Sequence, residues 1–342
     1  MRENSGNAVL VRCDGSPAIG MGHVMRCLSL AQALRSIGCQ VEFALQPLPG
    51  AAPASVQQAG FRLTELVPTQ GGLGTSEAQR LCDIASARGI ACVLVDHYGA
   101  GAEYYAVLAG AGLRVAAIDD TAEGDFGTAG WLLNQNLPAP ELSFRMAPGC
   151  KLLLGPRFAL LRPEFALARQ SLNRSFTAAG SRVLVTLGGG DAGEVAQEIL
   201  CALGRMPVHV RFVAGSTAVN DLPANVEMLH AVRDMAEQMC WADVSVNAGG
   251  STCWELCCLG VPMVVLALAE NQKGNARSLG RRGCAVDVGD ARAGIGAQVA
   301  EAVERLLAQP AACERMSATG MALVDGCGAQ RAAESLQEFV AE

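Results

Sequence analysis

The chain has 342 residues, of which 51% are hydrophobic and 17% are charged, and its formal net charge is −7. This length suggests roughly two domains of about 150 residues each. The acidic balance argues against nucleic acid as the main partner, because neutralising phosphates requires a basic surface.

Short apolar runs alternate with helical stretches along the chain. They predict strands in the first half at Val9–Arg12, Val41–Leu45, Cys92–Val95, Val115–Ile118 and Trp131–Asn134, and in the second half at Val183–Leu187, Val208–Val213, Val226–Leu229, Val244–Asn247 and Met263–Leu266. Such runs are typical of parallel strands that are buried on both faces. Their alternation with helices indicates an α/β fold with doubly wound parallel sheets.

This strand and helix pattern starts twice, near residue 8 and again near residue 182. We therefore predict two Rossmann-like domains that face each other across a cleft. The N-terminal domain is placed at 1–165, a linker at 166–181 and the C-terminal domain at 182–342. Ligands of such sheets bind beyond the carboxyl ends of the strands, so the loops there are the first candidates for a site.

The first candidate is the glycine-rich turn after the first predicted strand, which contains Asp14, Gly20, Gly22 and His23. The two glycines leave the backbone open to a diphosphate or a sugar. An unperturbed imidazole has a pKa of about 6.5 and can take a proton from water near neutral pH. Asp14 is a candidate to orient that imidazole or to bind a sugar hydroxyl. The alternative is that His23 only caps the following helix or packs.

The second candidate is the segment Gly249-Gly250-Ser251-Thr252, which follows a predicted strand and opens a helix that carries Glu255. Backbone N–H groups and hydroxyls at a helix start can bind an anion such as a diphosphate. The carboxylate of Glu255 can accept two hydrogen bonds from a ribose diol. The alternative is that Ser251 or Thr252 is an N-cap and Glu255 a favourable first-turn acid.

Two further loops follow predicted strands of the second half. Gly188 lies in the run Leu187–Asp191, which we interpret as a second backbone cradle or as a flexible turn. Asn271 and Gln272 offer amides to a sugar or phosphate, although they also suit an ordinary turn. In the first half, Asp96 and the Asp119–Asp120 pair follow strands and are candidates to line the site or to cap helices.

The chain contains 14 cysteines, but its N-terminus lacks the apolar core of a signal peptide. We expect a reducing, cytoplasmic compartment, with Cys82, Cys92 and Cys201 as small buried hydrophobes. Cys253, Cys257 and Cys258 cluster on one predicted helix, where buried thiols are favoured over a metal site because other ligands are scarce. No metal and no cofactor is expected, and no segment is suited to stable insertion in a membrane.

These blocks together resemble a known family, the nucleotide-sugar hydrolases of pseudaminic acid biosynthesis. Its members act on UDP-2,4-diacetamido-2,4,6-trideoxy-β-L-altropyranose, and their fold is similar to that of GT-B glycosyltransferases, including the enzyme that makes lipid II. The resemblance extends along most of the chain and is carried by the runs Arg12–Leu28, Val95–Tyr98, Asn134–Asn136, Leu154–Pro156, Leu161–Phe165, Ala248–Glu255 and Ala269–Gln272.

The resemblance implies that His23 is the general base and that the C-terminal domain holds UDP. It also implies that Arg162 and Glu255 bind the substrate and that Asn271 lies near the leaving group. Tyr98, in one of the family blocks, is expected to bind the substrate as well. The expected reaction is hydrolysis at the anomeric C–O bond with inversion, which releases UDP and the free sugar in the pathway that supplies pseudaminic acid for glycans such as those of flagellin.

Three other functions are compatible with the same sequence. A GT-B glycosyltransferase would use the same UDP-sugar site for transfer to an acceptor, and a hydrolysing epimerase would change the stereochemistry at C2. A non-catalytic partner in a polysaccharide complex would bind the nucleotide sugar without turnover. The sequence leaves the oligomeric state open.

Overall fold

The structure, a computed structural model, describes residues 7–16, 19–67, 73–177, 180–188, 192–215, 217–230 and 232–342. The chain divides into two compact units. Unit 1 comprises Met1–Arg162 with Cys327–Glu342, and unit 2 comprises Pro163–Gly326. Each unit is built on one parallel sheet with helices, which confirms the prediction of two Rossmann-like domains.

All strand pairs within both sheets are parallel. The strands are β1 (Ala8–Cys13), β2 (Gln40–Leu45), β3 (Arg62–Glu65), β4 (Cys92–Asp96), β5 (Arg114–Ile118), β6 (Trp131–Asn134), β7 (Lys151–Leu154), β8 (Arg182–Thr186), β9 (His209–Val213), β10 (Val226–Leu229), β11 (Val244–Ala248), β12 (Met263–Ala267) and β13 (Val286–Asp290). Their order is β3-β2-β1-β4-β5-β6-β7 in unit 1 and β10-β9-β8-β11-β12-β13 in unit 2.

The helices that connect these strands are α1 (Gly22–Ser36), α2 (Ala52–Gln58), α3 (Thr75–Arg88), α4 (Ala102–Gly110), α5 (Pro163–Gln170), α6 (Gly193–Leu203), α7 (Met235–Trp241), α8 (Thr252–Cys258), α9 (Glu270–Arg282), α10 (Ile295–Leu307), α11 (Pro310–Leu323) and α12 (Gly328–Ala341). Short 3-10 turns occur at Ala139–Glu141 and Pro156–Phe158. No helix among the described residues is long and apolar enough to cross a membrane.

The ten predicted strands are all present, and the structure adds three strands that the sequence pattern does not predict. β3 has the sequence Arg-Leu-Thr-Glu at the edge of its sheet, and β13 at the other sheet's edge is only half-buried along its length. Edge strands of this kind lack the continuous apolar run by which a fully buried parallel strand is recognised. β7 carries a leucine run that the sequence analysis does not name as a strand, although it lies within the predicted N-terminal domain.

The last helix belongs to unit 1, although the predicted C-terminal domain runs to residue 342. The apolar face of α12 packs into the unit 1 core through Ala332, Ala333, Leu336 and Phe339. The indole N–H of Trp131 donates a 3.1 Å hydrogen bond to the Ser335 hydroxyl on this helix. An amphipathic helix buries its face wherever the matching core lies, and the sequence pattern alone does not identify which core that is.

The segment after Arg162 is also more structured than the predicted linker at 166–181. Its first part forms α5, and the segment belongs to unit 2, where its arginines bind backbone carbonyls. Arg169 donates to the carbonyls of Cys258, Met321 and Val324 at 2.9–3.0 Å. Arg174 similarly donates to three carbonyls near the ends of α7 and α8 at 2.6–2.9 Å. Unpaired carbonyls at helix ends attract cations, so this polar stretch is bound to unit 2.

The cysteines are all free thiols. Cys82, Cys92, Cys253, Cys257 and Cys258 are buried as predicted, but Cys201 is exposed near the end of α6. Burial raises the pKa of the Cys253 thiol to about 12. Such a thiol stays protonated near neutral pH and acts as a small hydrophobe.

Candidate functional site

The reversal of strand order places the candidate loops of each unit side by side. In unit 1 the chain turns back between β1 and β4, and in unit 2 between β8 and β11. Ligands of doubly wound sheets bind beyond the carboxyl ends of the strands at this switch point. The His23 loop follows β1 and Asp96 ends β4, whereas Gly188 follows β8 and Gly249 follows β11.

His23 is the second residue of α1 and forms a close pair with Asp96. Its Nδ1 lies 2.7 Å from Asp96 Oδ1, and the two residues are 8% and 1% exposed. Burial alone would raise the pKa of Asp96, but the charge of Arg26 and the contact with His23 outweigh it and hold that pKa well below its usual range. An ionised carboxylate accepts hydrogen bonds only. Nδ1 therefore carries the proton, and Nε2 is left as the acceptor of the ring.

Arg26, one helical turn after His23, holds the other side of Asp96. Its Nε donates to Asp96 Oδ2 at 2.6 Å and its Nη2 donates to Asp96 Oδ1 at 2.6 Å. The thiol of Cys27 donates to Asp96 Oδ2 at 3.3 Å. A carboxylate surrounded by these donors is fixed in orientation and stays charged, so it suits the role of orienting the imidazole better than that of removing a proton itself.

Asp120, just after β5, continues the same network. Both of its carboxylate oxygens accept 2.7 Å hydrogen bonds from Arg26 Nη1. The Tyr98 hydroxyl donates to Asp120 Oδ2 at 2.7 Å, and the Tyr98 ring stands edge-on to His23 with the ring centroids 4.9 Å apart. The amide of Asn136 donates to the backbone carbonyl of Asp120 at 3.1 Å. Side chains from separate segments of unit 1 thus converge on one imidazole.

Asp14 belongs to a second buried network rather than to His23. Its Oδ1 lies 2.8 Å from Arg12 Nη1 and accepts a 2.8 Å hydrogen bond from the backbone N–H of Gln46. Arg12 also donates to Glu77, which accepts from the Tyr104 hydroxyl at 3.0 Å. The expectation that Asp14 orients the imidazole is therefore wrong, because Asp96 occupies that position. A sugar-binding role for Asp14 stays a prediction.

His97 is the second imidazole near this edge, and both of its ring nitrogens face partners. Its Nδ1 accepts a 2.9 Å hydrogen bond from the N–H of Gly99, and its Nε2 lies 3.6 Å from Asp14 Oδ2. Burial and the nearby charge of Arg12 lower the pKa of His97, so the ring is neutral at neutral pH. Both ring nitrogens of His97 therefore have polar neighbours within unit 1.

Gly20 and Gly22 leave room beside His23. Gly20 has φ +83°, a left-handed conformation that favours glycine, and its N–H donates to the Ser16 carbonyl at 2.7 Å. A Cβ added at Gly20 or Gly22 would meet no atom within 4 Å. Gly22 is the first residue of α1 rather than part of the loop, so its N–H lies at the helix start.

In unit 2, the predicted Gly249–Thr252 segment leads from β11 into α8 and lies against α9. A Cβ at Gly249 would be 2.9 Å from the backbone oxygen of Gln272, so only glycine fits this approach. The amide of Asn275, which the sequence analysis does not single out, donates to the Gly249 carbonyl at 3.0 Å. Ser251 is the N-cap of α8 by position, yet its side chain makes no cap hydrogen bond, so the expected N-cap interaction is missing at Ser251.

The remaining predicted residues of unit 2 lie close to this segment. Glu255 is half-buried in the first turn of α8, Asn271 is exposed in the first turn of α9, and Gln272 uses its Oε1 to accept from the Leu268 N–H at 2.9 Å. Gly188 follows β8, the neighbour of β11, with φ +90°. Residues 189–191 of the predicted cradle lie outside the described residues.

Arg162 is half-buried and is the last residue of unit 1 before the chain enters unit 2. The structure therefore brings His23, Gly20, Gly22 and Tyr98 together in unit 1. It brings Gly188, Gly249, Gly250, Ser251, Thr252, Glu255, Asn271 and Gln272 to the corresponding edge of unit 2. In the described ranges, no group of three or more His, Cys, Asp or Glu side chains is arranged to hold a metal ion.

Sequence reasoning missed Arg26 as a site residue, and it named Asp120 only with Asp119, as a pair that could line the site or cap a helix. In the sequence, Arg26 stands only as part of a motif, and Asp120 only as one of two adjacent acids. A signal was present, because both Asp96 and Asp120 follow predicted strands that are neighbours in a doubly wound sheet. The contact between an arginine on α1 and these acids depends on helix rotation, which the sequence does not specify.

Comparison with known proteins shows what this architecture is similar to. Residues 183–334 match the glycosyltransferase family 28 C-terminal domain. A curated relative, the spore coat polysaccharide biosynthesis protein SpsG of Bacillus subtilis (strain 168), is 28% identical over 197 residues. That alignment covers 54% of this chain and 58% of the relative, so it spans little more than half of either protein.

Solved structures match over nearly the whole chain. The forosaminyltransferase SpnP aligns with a TM-score of 0.69 at 17% identity, covering 98% of this chain and 99% of that one. MurG of Acinetobacter baumannii aligns with a TM-score of 0.64 at 17% identity, covering 97% and 99%. The rhamnosyltransferase SpnG in complex with thymidine diphosphate gives a TM-score of 0.64 at 18% identity, with coverage of 97% and 100%. The fold is therefore that of GT-B glycosyltransferases.

Proposed function

We propose that this chain is an enzyme of polysaccharide biosynthesis that cleaves the anomeric C–O bond of a nucleoside diphosphate sugar, with His23 as general base. The observation that carries the proposal is the 2.7 Å contact between His23 Nδ1 and Asp96 Oδ1. It fixes the tautomer in which Nε2 is unprotonated, which is the form that a general base requires.

The reaction follows from this arrangement. Nε2 of His23 takes the proton of an O–H nucleophile as its oxygen attacks the anomeric carbon from the face opposite the nucleotide. The new bond joins that oxygen to the anomeric carbon, and the bond to the β-phosphate oxygen breaks with inversion. The electron pair leaves with the nucleoside diphosphate, and the proton remains on His23, where the charge of Asp96 stabilises the imidazolium.

Unit 2 is proposed to bind the nucleotide, with UDP as the expected one. The N–H groups at the start of α8 suit a diphosphate, and Glu255 suits the ribose diol. The match of residues 183–334 to the family 28 C-terminal domain supports this assignment. Gly188, Asn271 and Gln272 are proposed to contact the substrate from the adjacent loops, and Arg162 is proposed to bind it from the end of unit 1.

The nucleophile favoured by the comparisons is a hydroxyl of an acceptor, which makes the reaction glycosyl transfer. The family model is one of glycosyltransferases, and SpnP and SpnG are sugar transferases by name. Transfer uses the same base and the same inversion as the reaction described above.

The second candidate nucleophile is water, which makes the reaction hydrolysis. It is favoured by the His23 loop and the later sequence blocks, which resemble hydrolases of UDP-2,4-diacetamido-2,4,6-trideoxy-β-L-altropyranose in pseudaminic acid biosynthesis. SpsG, a spore coat polysaccharide biosynthesis protein, supports a role in making polysaccharide without indicating which nucleophile is used.

One experiment separates these outcomes. The purified chain is incubated with UDP- and TDP-linked sugars, including diacetamido sugars, in H₂¹⁸O with and without candidate acceptors, and UDP and sugar products are followed by mass spectrometry. UDP release in equal amount to free sugar carrying ¹⁸O at C1 identifies hydrolysis, and UDP release only with an acceptor identifies transfer. Binding of every donor without turnover would overturn the enzymatic proposal. Proton NMR of the product distinguishes simple release from epimerisation at C2.

A further inference from the structure

We infer that Asp120 and Arg26 are positioning residues that set how readily His23 holds a proton, with Arg26 opposing protonation and Asp120 offsetting Arg26. This inference rests on the proposed role of His23 as a base. It concerns two residues that do not touch the reacting atoms but that adjust the group that does.

Arg26 is close enough to His23 to oppose its protonation directly. Its Nη2 lies 3.0 Å from His23 Nδ1, and Arg26 is only 6% exposed. In the tautomer given above, Arg26 Nη2 and His23 Nδ1 both carry hydrogen, and the guanidinium is positively charged. A positive charge on the imidazole is therefore repelled by Arg26. Asp96, 2.7 Å from the same nitrogen, favours the imidazolium.

Asp120 offsets the charge of Arg26. Both of its oxygens accept from Arg26 Nη1 at 2.7 Å, and the pair is largely shielded from water, with side chains 6% and 12% exposed. Tyr98 connects Asp120 to His23, because its hydroxyl donates to Asp120 and its ring packs nearly perpendicular to the imidazole. Two carboxylates and one guanidinium thus lie in one network with the imidazole, and together they carry a net charge of −1.

The other polar groups near His23 are the same in the variants at Arg26 and Asp120. The Cys27 thiol stays protonated because burial raises its pKa, and Tyr98 donates as a neutral hydroxyl. Behind His97, whose pKa is lowered, Arg12 pairs with Asp14 at 2.8 Å and with Glu77 at 2.7 Å, so this second network carries one net negative charge. Changes at Arg26 or Asp120 therefore alter the charge next to the ring while this background charge stays constant.

The expected effects have opposite signs. Coulomb energies between partly buried charges a few ångströms apart, at an effective dielectric constant of about 20, correspond to shifts of about one pH unit or more. Asp120→Asn leaves Arg26 less compensated, so the His23 titration midpoint moves to lower pH. Arg26→Gln removes the opposing cation, so the midpoint moves to higher pH.

The test is an NMR titration of the imidazole Cε1–H signals of the whole chain, which has four histidines. The His23 signal is assigned by its loss in His23→Asn. We expect the midpoint to fall by about one unit in Asp120→Asn and to rise by about one unit in Arg26→Gln. Arg26→Lys, which keeps the charge, and Tyr98→Phe, which keeps both charges but removes the hydroxyl, are the matched controls and stay within about 0.3 unit of wild type.

Shifts in the same direction for Asp120→Asn and Arg26→Gln would overturn the inference, since a general structural disturbance has no reason to reverse sign. An unchanged midpoint in Asp120→Asn would also overturn it. If Arg26→Gln does not fold, the comparison of Asp120→Asn with Tyr98→Phe decides. The titration needs no substrate, so opposite shifts alongside full turnover by His23→Asn would uphold this charge balance and reject the proposed function.

Discussion

His23 and Asp96 are 73 residues apart in the sequence and are joined by a 2.7 Å hydrogen bond between Nδ1 and Oδ1. The fold creates this pair by placing the start of α1 and the end of β4 at the same edge of the sheet. The pairing gives the imidazole a fixed orientation and a fixed tautomer in the absence of substrate, which would reduce the reorganisation needed in the proposed reaction.

Replacement of the base should affect turnover far more than binding. We expect His23→Asn to lower kcat by about 10²–10⁴-fold with KM changed only a few-fold, because a general base acts mainly in the transition state. Steady-state kinetics with the donor found active provide the measurement. His209→Asn, at an exposed position of β9, is the matched control and keeps full activity. Near wild-type turnover by His23→Asn would reject the assignment.

The charge of Asp96 should make stability depend on pH. Its folded pKa is depressed, so its ion pairs stabilise the fold above the unfolded pKa of about 4 and this stabilisation is lost as pH falls below it. The difference in the free energy of unfolding between wild type and Asp96→Asn should be largest near about pH 6–7, at which carboxylates are ionised, and shrink below about pH 4. Urea unfolding at a series of pH values measures it. A difference that grew on acidification would contradict this explanation.

Two adjacent glycines should respond differently to the same added methyl group. Gly249→Ala places a Cβ 2.9 Å from the Gln272 backbone oxygen, so it should lower the Tm by several degrees. In Gly250→Ala the Cβ meets no atom within 4 Å, so the Tm should stay within about 2 °C of wild type. If a diphosphate approaches this backbone, Gly250→Ala should still weaken UDP binding, measured by calorimetry. Unchanged UDP affinity in both variants would remove this segment from the proposed nucleotide site.

Replacing only one partner of the buried ion pair between Arg12 and Glu77 should lower the free energy of unfolding. Both side chains are fully buried, and Arg12 Nε donates to Glu77 Oε1 at 2.7 Å. We expect Glu77→Gln to destabilise the chain by about 3 kcal/mol because it leaves Arg12 with only Asp14 as a charged partner. Tyr104→Phe removes one hydrogen bond to the same carboxylate and should cost about 1 kcal/mol. Chemical denaturation measures the free energy of unfolding of both variants. Equal destabilisation by Glu77→Gln and Tyr104→Phe would argue against an ionic contribution of Glu77.

The assignment of α12 to unit 1 can be tested with Leu336, which is fully buried in the unit 1 core. Leu336→Ala should cost about 2–5 kcal/mol. Hydrogen exchange should show lost protection in β1 and β6 of unit 1 while α10 of unit 2 is unchanged. Glu338→Gln on the same helix breaks only the exposed 2.8 Å contact with Lys151 and should cost less than about 1 kcal/mol. Loss of protection in α10 alone would contradict the assignment.

Much of the fold was predictable because buried parallel strands are visible in sequence. The runs Cys92–Val95 in β4 and Met263–Ala267 in β12 are apolar throughout and lie inside their sheets rather than at an edge. β3 and β13 were missed because edge strands mix polar and apolar residues. The sequence places α12 in the C-terminal domain, which is wrong. Its apolar face shows that the helix packs against a core but does not identify which of the two cores.

The sequence predicts those parts of the candidate site that lie within one continuous segment. It does not predict the parts where side chains from several segments come together. Gly20, Gly22 and His23 lie within four residues, and Gly249–Glu255 form one run, so their grouping follows from the sequence. Asp96 and Asp120 reach the His23 network only through the register of β1, β4 and β5. Asp14 is the acid nearest to His23 along the chain, whereas the three-dimensional neighbour is Asp96.

The return of α12 to unit 1 makes that unit discontinuous, with all of unit 2 inserted between its two parts. During synthesis on a ribosome, the whole of unit 2 emerges before the helix that covers part of the unit 1 core. Unit 2 can therefore fold before α12 is available. The surface of unit 1 around Trp131 and Gly130 stays uncovered until Phe339 and Ser335 have been synthesised. Unit 1 can complete its core only after all of unit 2 has been synthesised.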